Sequence, residues 1–187
     1  MLLDALKDFE WYNEPENVRF NDAGMVVDAR AKTDFWQSTH HNFHKDDGHF
    51  FFTRIERDFE LVVKWSFEKA CLFDQCGLML RVDERNWFKV SLMSEDASRP
   101  KLGSSLTNFG YSDWAVVSLD SPLNEIWYKL RRNGGDYIAY YSLDGIVYNQ
   151  LRLFHLINDN GELKAGVYAC APRRDDFECV LEVLDIN

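Results

Sequence analysis

The chain has 187 residues and sets 31 acids against 21 Lys and Arg, a formal charge of −10 that repels nucleic acid and anionic membrane surfaces. Apolar residues at 46% and aromatics at 15% exclude a disordered chain and favour strands. No apolar run approaches the ~20 residues of a membrane span, and the start MLLDALKDFEWYNEP is too acidic for a secretory leader. The expectation is a single cytoplasmic domain over residues 1–187.

In chain order, residues 1–17 mix acids with Phe9, Trp11 and Tyr12, and Asn21-Asp22-Ala23-Gly24 marks a turn before Met25-Val26-Val27. Residues 33–54 hold four of the five histidines (His40, His41, His44, His49), with Asp46-Asp47-Gly48 between two aromatic runs. Asp-Gly in that setting predicts a hairpin turn. Phe59, Leu61, Val63, Trp65 and Phe67 alternate with Glu60, Lys64, Ser66 and Glu68, the period of a half-buried strand.

Leu78, Leu80 and Val82 then alternate with Met79 and Arg81, and Phe88, Val90 and Leu92 with Trp87, Lys89 and Ser91. A three-residue loop Glu84-Arg85-Asn86, with Asn86 left-handed, places Asp83 opposite Trp87 and Arg81 opposite Lys89. Two cations opposed on a sheet repel, so solvent, an anion or a neighbouring carboxylate must compensate them. Residues 94–112, polar with Pro100, Gly103 and Gly110, read as a long loop around a short strand.

A strand Ala115–Leu119 is followed by a three-stranded meander, turning at Asn133-Gly134-Gly135-Asp136 and at Asp144-Gly145. A two-residue turn at Asp144-Gly145 opposes Tyr141 to Tyr148 and places Lys129, Arg131, Tyr141, Tyr148 and Gln150 away from the core. Asn158-Asp159-Asn160-Gly161 is a further turn before strands over 164–171 and 177–186. Roughly ten or more strands at such spacing predict an all-β fold, an antiparallel two-sheet sandwich. Cys71, Cys76, Cys170 and Cys179 lack zinc spacing and read as reduced, buried thiols.

Six patterns occur in order: Thr33-Asp34-Phe35-Trp36-Gln37 with Thr39-His40, Asp74-Gln75-x-Gly77-Leu78, Asn86-Trp87-x-Lys89, Ser112-Asp113-Trp114, Ser142-x-Asp144-Gly145, and Tyr168-Ala169-Cys170-x-Pro172. Together they resemble a family named for a yeast regulator of enolase, across nearly the whole chain. The resemblance implies a concanavalin A-like jelly roll and supplies no catalytic residues. The chain departs from the family's pattern after Trp-x-Lys, where Ser91 and Met93 stand in place of Gly and Glu.

The leading functional expectation is a non-enzymatic module that binds a saccharide-like or anionic small ligand. Trp36, Trp87, Trp114, Tyr141 and Tyr148 are its candidate rings, and Arg81, Lys89 and Arg131 its donors. Gln75 sits at the groove, with His40 and His49 on the rim. Three readings stand behind it. Glu56, Asp58 and Glu60 form an E-x-D-x-E run of the kind glycoside hydrolases carry. The histidines with Asp46 and Asp47 could ligate a metal. The aromatic face could dock a metabolic enzyme. No phosphate loop, dinucleotide fingerprint or nucleophile elbow appears, so no cofactor is expected.

Overall fold

The structure, a computed structural model, describes residues 2–187 apart from 41, 69, 95–99, 161 and 174. Among the described residues one short helix, α1 (Leu2–Ala5), precedes seventeen strands. These are β1 (Glu10–Tyr12), β2 (Val18–Asn21), β3 (Gly24–Ala29), β4 (Phe35–Gln37), β5 (His44–Asp46), β6 (His49–Ile55), β7 (Phe59–Ser66), β8 (Gln75–Asp83) and β9 (Asn86–Ser94). There follow β10 (Pro100–Asn108), β11 (Tyr111–Ser112), β12 (Ala115–Ser118), β13 (Glu125–Asn133), β14 (Asp136–Ser142), β15 (Asn149–His155), β16 (Leu163–Cys170) and β17 (Phe177–Ile186). Among the described residues no helix is long and apolar enough to cross a membrane.

An eight-stranded sheet runs β1-β6-β16-β8-β9-β10-β11, with β12 also paired to β10, and a seven-stranded sheet runs β15-β14-β13-β7-β17-β3-β2. All ladders within the two sheets are antiparallel. Period-two alternation decides what lies between them. β7 buries Phe59, Leu61, Val63 and Trp65 against Leu78, Leu80, Phe88, Val90 and Leu92 of the facing sheet. Two rings span the gap and hydrogen-bond to β8: Trp65 Nε1 donates to Gly77 O at 3.2 Å, and the Tyr128 hydroxyl to Cys76 O at 3.2 Å. Of the cysteines, Cys76, Cys170 and Cys179 are buried and Cys71 is partly so, all as free thiols.

A second apolar cluster lies on the outer face of the eight-stranded sheet, where Phe50, Phe52, Met79, Trp87, Tyr168 and Cys170 are capped by Phe35. The cap is a separate two-stranded hairpin, β4–β5, that belongs to neither sheet. β8 is therefore covered on both faces, and seven of its nine residues are buried.

Four local expectations are corrected. Asp46-Asp47-Gly48 does not close a hairpin but carries the chain from β5 to β6; Gly48 is needed because a Cβ would stand 2.5 Å from the Phe35 ring. The β8–β9 turn is two residues long, and a bulge opposes Arg81 to Trp87 and Met79 to Lys89. Residues 100–108 form a full strand: Pro100 occupies its first position, where no ladder donor is required. At Asp144-Gly145 the connection is longer than two residues, because the Asp144 carboxylate accepts from the Ile146 and Val147 amides and folds 143–148 into a loop. Tyr141 consequently faces Asn149, and its pairing with buried Tyr128 on the other side sets it toward the core, while Tyr140, opposite Lys129, takes the outer face.

Candidate functional site

The outer face of the eight-stranded sheet is hollow for a reason visible in the register. Tyr168, Gly77, Ser91 and Gly103 are successive cross-strand partners on β16, β8, β9 and β10. Two glycines and a serine between larger neighbours leave a trough. A Cβ on Gly103 would meet Met93 Sδ at 2.9 Å and Trp114 Nε1 at 3.1 Å, so the Trp114 indole is seated on that bare backbone. The small, polar composition that made 94–112 look like a loop is what the floor requires.

The hollow has a volume of about 480 Å³, within the usual range for small-molecule sites. Ser91, Ser105, Gln75 and Lys89 offer polar groups, and Trp36, Phe43, Phe73, Trp114 and Tyr168 offer rings. Gln75 is held by both ends: its Oε1 accepts from the Tyr168 hydroxyl at 3.0 Å and its Nε2 donates to Phe73 O at 3.1 Å. Arg173 stands at the wall with its guanidinium 4.9 Å from the Phe73 ring centre.

The hairpin forms one wall and also supplies the counter-charges. Lys89 Nζ, on a residue 5% exposed, donates to Asp34 Oδ1 at 2.9 Å. Arg81 forms a bidentate pair with Asp46 at 2.6 and 2.8 Å, and the Tyr12 hydroxyl donates to the same carboxylate. The compensation demanded by two cations on one face comes from two carboxylates, one for each. Thr33, which exchanges hydrogen bonds with Ala171, and the Asp47 carboxylate, which accepts from Asp34 N, fix where the hairpin starts. Among the described residues of its connection, Ser38, His40 and Asn42 are left-handed, and the connection carries His40 and Phe43 to the hollow.

Of the eleven sequence-predicted residues, Trp36, His40, Gln75, Lys89 and Trp114 line this one hollow. The other six lie elsewhere. Trp87 is fully buried in the outer cluster and offers no stacking face. Arg81 is engaged by Asp46 beneath the hairpin. His49 is a buried strut: Nδ1 lies 2.6 Å from Asn13 O and Nε2 accepts from Arg30 N at 3.1 Å, which fixes one neutral tautomer. Burial lowers its pKa further. Arg131 and Tyr148 occupy the outer face of the other sheet, around Lys129 and Glu60, and Tyr141 packs against the core.

Sequence reasoning missed Asp34, Phe43, Phe73, Ser91, Ser105, Tyr168 and Arg173. Asp34, Ser91 and Tyr168 had the signal of lying in or beside a recurring pattern. The loop-borne rings Phe43 and Phe73 had none.

The Glu56–Asp58–Glu60 run lies at the start of β7, away from the hollow. Burial pushes the Glu60 carboxyl up, but the Arg131 hydrogen bond and the Lys129 charge outweigh it and leave the pKa lowered. A general acid needs the opposite shift. Asp58 accepts from Gly134 N. The run anchors neighbouring strands. Among the described residues no three His, Cys, Asp or Glu side chains gather as metal ligands; His41, one of the candidates, lies outside the described residues.

A second hollow, about 400 Å³, opens at the end of the sandwich between Leu92, Met93 and Pro100 of one sheet and Phe67, Pro122 and Leu123 of the other. Asp74, 4% exposed, contributes to its wall. Its Oδ2 accepts from Cys71 N at 2.6 Å and its Oδ1 has no partner among the described residues. Burial raises the carboxyl pKa from 3.8 to about 6. The folded value exceeds the unfolded one, so ionisation penalises the fold as pH rises from 4 to 6 and constantly above. The ceiling is about 3 kcal/mol, at ~1.4 kcal/mol per pKa unit. Asp74→Asn is expected to gain about 1–3 kcal/mol over wild type in urea melts at pH 7.5 and nothing at pH 4; an equal effect at both refutes the assignment.

Residues 11–187 match the family described as Protein of unknown function (DUF1349). The chain is 32% identical to "Regulation of enolase protein 1" of Saccharomyces cerevisiae over 165 residues, 88% of this chain and 81% of that protein. A crystal structure of a functionally unknown protein from Saccharomyces cerevisiae superposes with a TM-score of 0.89 at 26% identity, covering 97% of both chains. Two solved structures at 12% identity share the fold alone. The carbohydrate binding module CBM66 from Bacillus subtilis has a TM-score of 0.58 over 97% of this chain and 96% of its own. The GH43 BlXynB protein from Bacillus licheniformis has 0.74 over 96% of this chain and 36% of its own. The concanavalin-like two-sheet sandwich is thereby shown by the structure and its solved neighbours.

Proposed function

The chain belongs to the family described as Protein of unknown function (DUF1349), and from that premise we propose that it is a binding module for a neutral saccharide-like ligand, held in the hollow on the eight-stranded sheet. The observation that carries this is the pairing of indole and phenyl walls (Trp36, Trp114, Phe73) with a floor of hydroxyl and amide groups (Ser91, Ser105, Gln75). A sugar presents apolar C–H faces and a hydroxyl rim, and those two surfaces require such a combination. The ammonium of Lys89 is matched by Asp34, and the Arg173 guanidinium packs on the Phe73 ring at the wall, so the floor itself offers hydrogen bonds without net charge. That favours a neutral ligand over an anion. The carbohydrate binding module of similar fold is consistent with this use. The yeast relative's name refers to regulation of enolase, a role suited to a module that binds a sugar without converting it.

The test is calorimetric titration with a panel of neutral mono- and disaccharides, followed by Trp36→Ala and Trp114→Ala against the best binder. Trp114 is 43% exposed, so its removal should leave the thermal midpoint nearly unchanged while affinity falls at least about tenfold, or ~1.4 kcal/mol. A panel without a binder, or affinity unaltered in both variants, overturns the reading.

A further inference from the structure

The first hollow has a direction, which shows along one row of cross-strand partners. In order across the outer face of the eight-stranded sheet stand Phe50, Tyr168, Gly77, Ser91, Gly103 and Val116, on β6, β16, β8, β9, β10 and β12. Partners in a ladder share a face, so this order is also a profile of the surface. At one end Phe50 is fully buried and Tyr168 is 1% exposed, both beneath the hairpin, whose Phe35 ring lies 6.2 Å from that of Tyr168. At the other end Val116 is 44% exposed, and among the described residues β12 pairs with β10 alone, so the sheet stops there. Between them Gly103 is paved by the Trp114 indole, itself 43% exposed. Along the strands the hollow is closed. Phe73, which precedes β8, and Pro172, which follows β16, stand at the same end of two antiparallel strands, and the Lys89–Asp34 pair stands towards the other. The hollow is blind at Tyr168 and open across β12.

We propose, on the strength of the saccharide reading, that the hollow seats the terminal unit of a linear neutral oligosaccharide end-on. That unit lies on Ser91 against Tyr168, and the chain leaves over the Trp114 ring and across β12. Threading the interior of a chain through the hollow would need a second exit. The buried rings of Tyr168 and Phe50, with the hairpin above them, stand where that exit would have to be. A single sugar, conversely, would leave the open end unused. From Tyr168 to Val116 the row crosses four strand spacings, about 19 Å at ~4.8 Å each, so units after the first have surface to follow. An exposed indole on that path suits the apolar side of a second sugar ring.

The test uses linear oligosaccharides of increasing length, in separate series built from glucose, xylose, mannose, galactose, arabinose and fructose, together with the polysaccharide of each. Calorimetry reads affinity, and light scattering reads how many protein molecules each polysaccharide chain carries. Affinity is expected to rise from the single sugar to about three units, as the length of the row allows, and then to level. Each polysaccharide chain should carry a single protein molecule, however long the chain. Two modified trimers then probe the ends, one a methyl glycoside at its reducing terminus and one O-methylated on the ring at the opposite terminus. One of them should lose at least about tenfold in affinity and the other change by less than about twofold. Several protein molecules along one chain, equal effects of the two modifications, or a trimer no tighter than the single sugar would each overturn end-on seating while leaving saccharide binding intact. A collection in which nothing binds overturns both.

Discussion

Asp46→Ala is expected to lower the stability of the chain by about 3–5 kcal/mol, the range for breaking one side of a buried ion pair. Arg81 is 3% exposed, and Asp46 neutralises it through a bidentate pair. Removing the carboxylate leaves a guanidinium over the Tyr12 ring, at 4.5 Å, without its paired carboxylate. The Tyr12 hydroxyl loses its acceptor in the same step. Against a typical domain stability of 5–15 kcal/mol such a loss would show plainly in urea or thermal melts. The double replacement Asp46→Leu with Arg81→Met is expected to recover most of it, because the cost lies in the orphaned charge and not in the absence of the pair. A single variant that loses less than about 1 kcal/mol would show that the hairpin is held by Phe35 and its neighbours instead.

Gly77→Ala is the second large effect. A Cβ there would stand 1.8 Å from Val90 O, 2.9 Å from Val90 C and 3.0 Å from Ser91 Cα, all backbone atoms. No rotamer change relieves that. β9 would have to move off β8, straining the Gly77–Ser91 pairing at the centre of the floor and the Trp65 bond to Gly77 O. We expect a loss of about 3 kcal/mol, the upper end for overpacking, with ligand affinity lost in parallel. Circular dichroism melts check the first and sugar titration the second; a variant as stable as wild type would mean that β9 yields freely at this point.

Much of the fold was legible because its signals were periodic. The alternation in 59–68 placed Leu61, Val63 and Trp65 inside, and the parity of 78–92 put Lys89, Ser91 and Arg81 together on the other face. Parity survives a register slip of two, which is why that face was right while the partner of Arg81 was wrong. The side chosen for β14 was wrong: Leu130 pairs with Ala139 and Tyr128 with Tyr141, so Tyr141, and not Tyr140, shares the core side. The site was less legible because it draws on elements without a period. The β4–β5 hairpin packs on the outside of a sheet, so its buried Phe35 and Gln37 mimic core residues. Trp87 and His49 were misjudged for the same reason: nothing local announces that an outer face is itself covered.

That covering hairpin has a consequence for how this architecture diversifies. Its anchoring carboxylates, Asp34 and Asp46, lie at or beside its base, whereas its tip contributes His40 and Phe43 to the hollow. The two fastening carboxylates are thus separate in sequence from the tip residues His40 and Phe43, even though Asp34 and Trp36 border the same hollow. A graft that exchanges the tip and keeps the two carboxylates should redirect ligand choice on an unaltered scaffold, much as a tool takes a new bit in the same chuck.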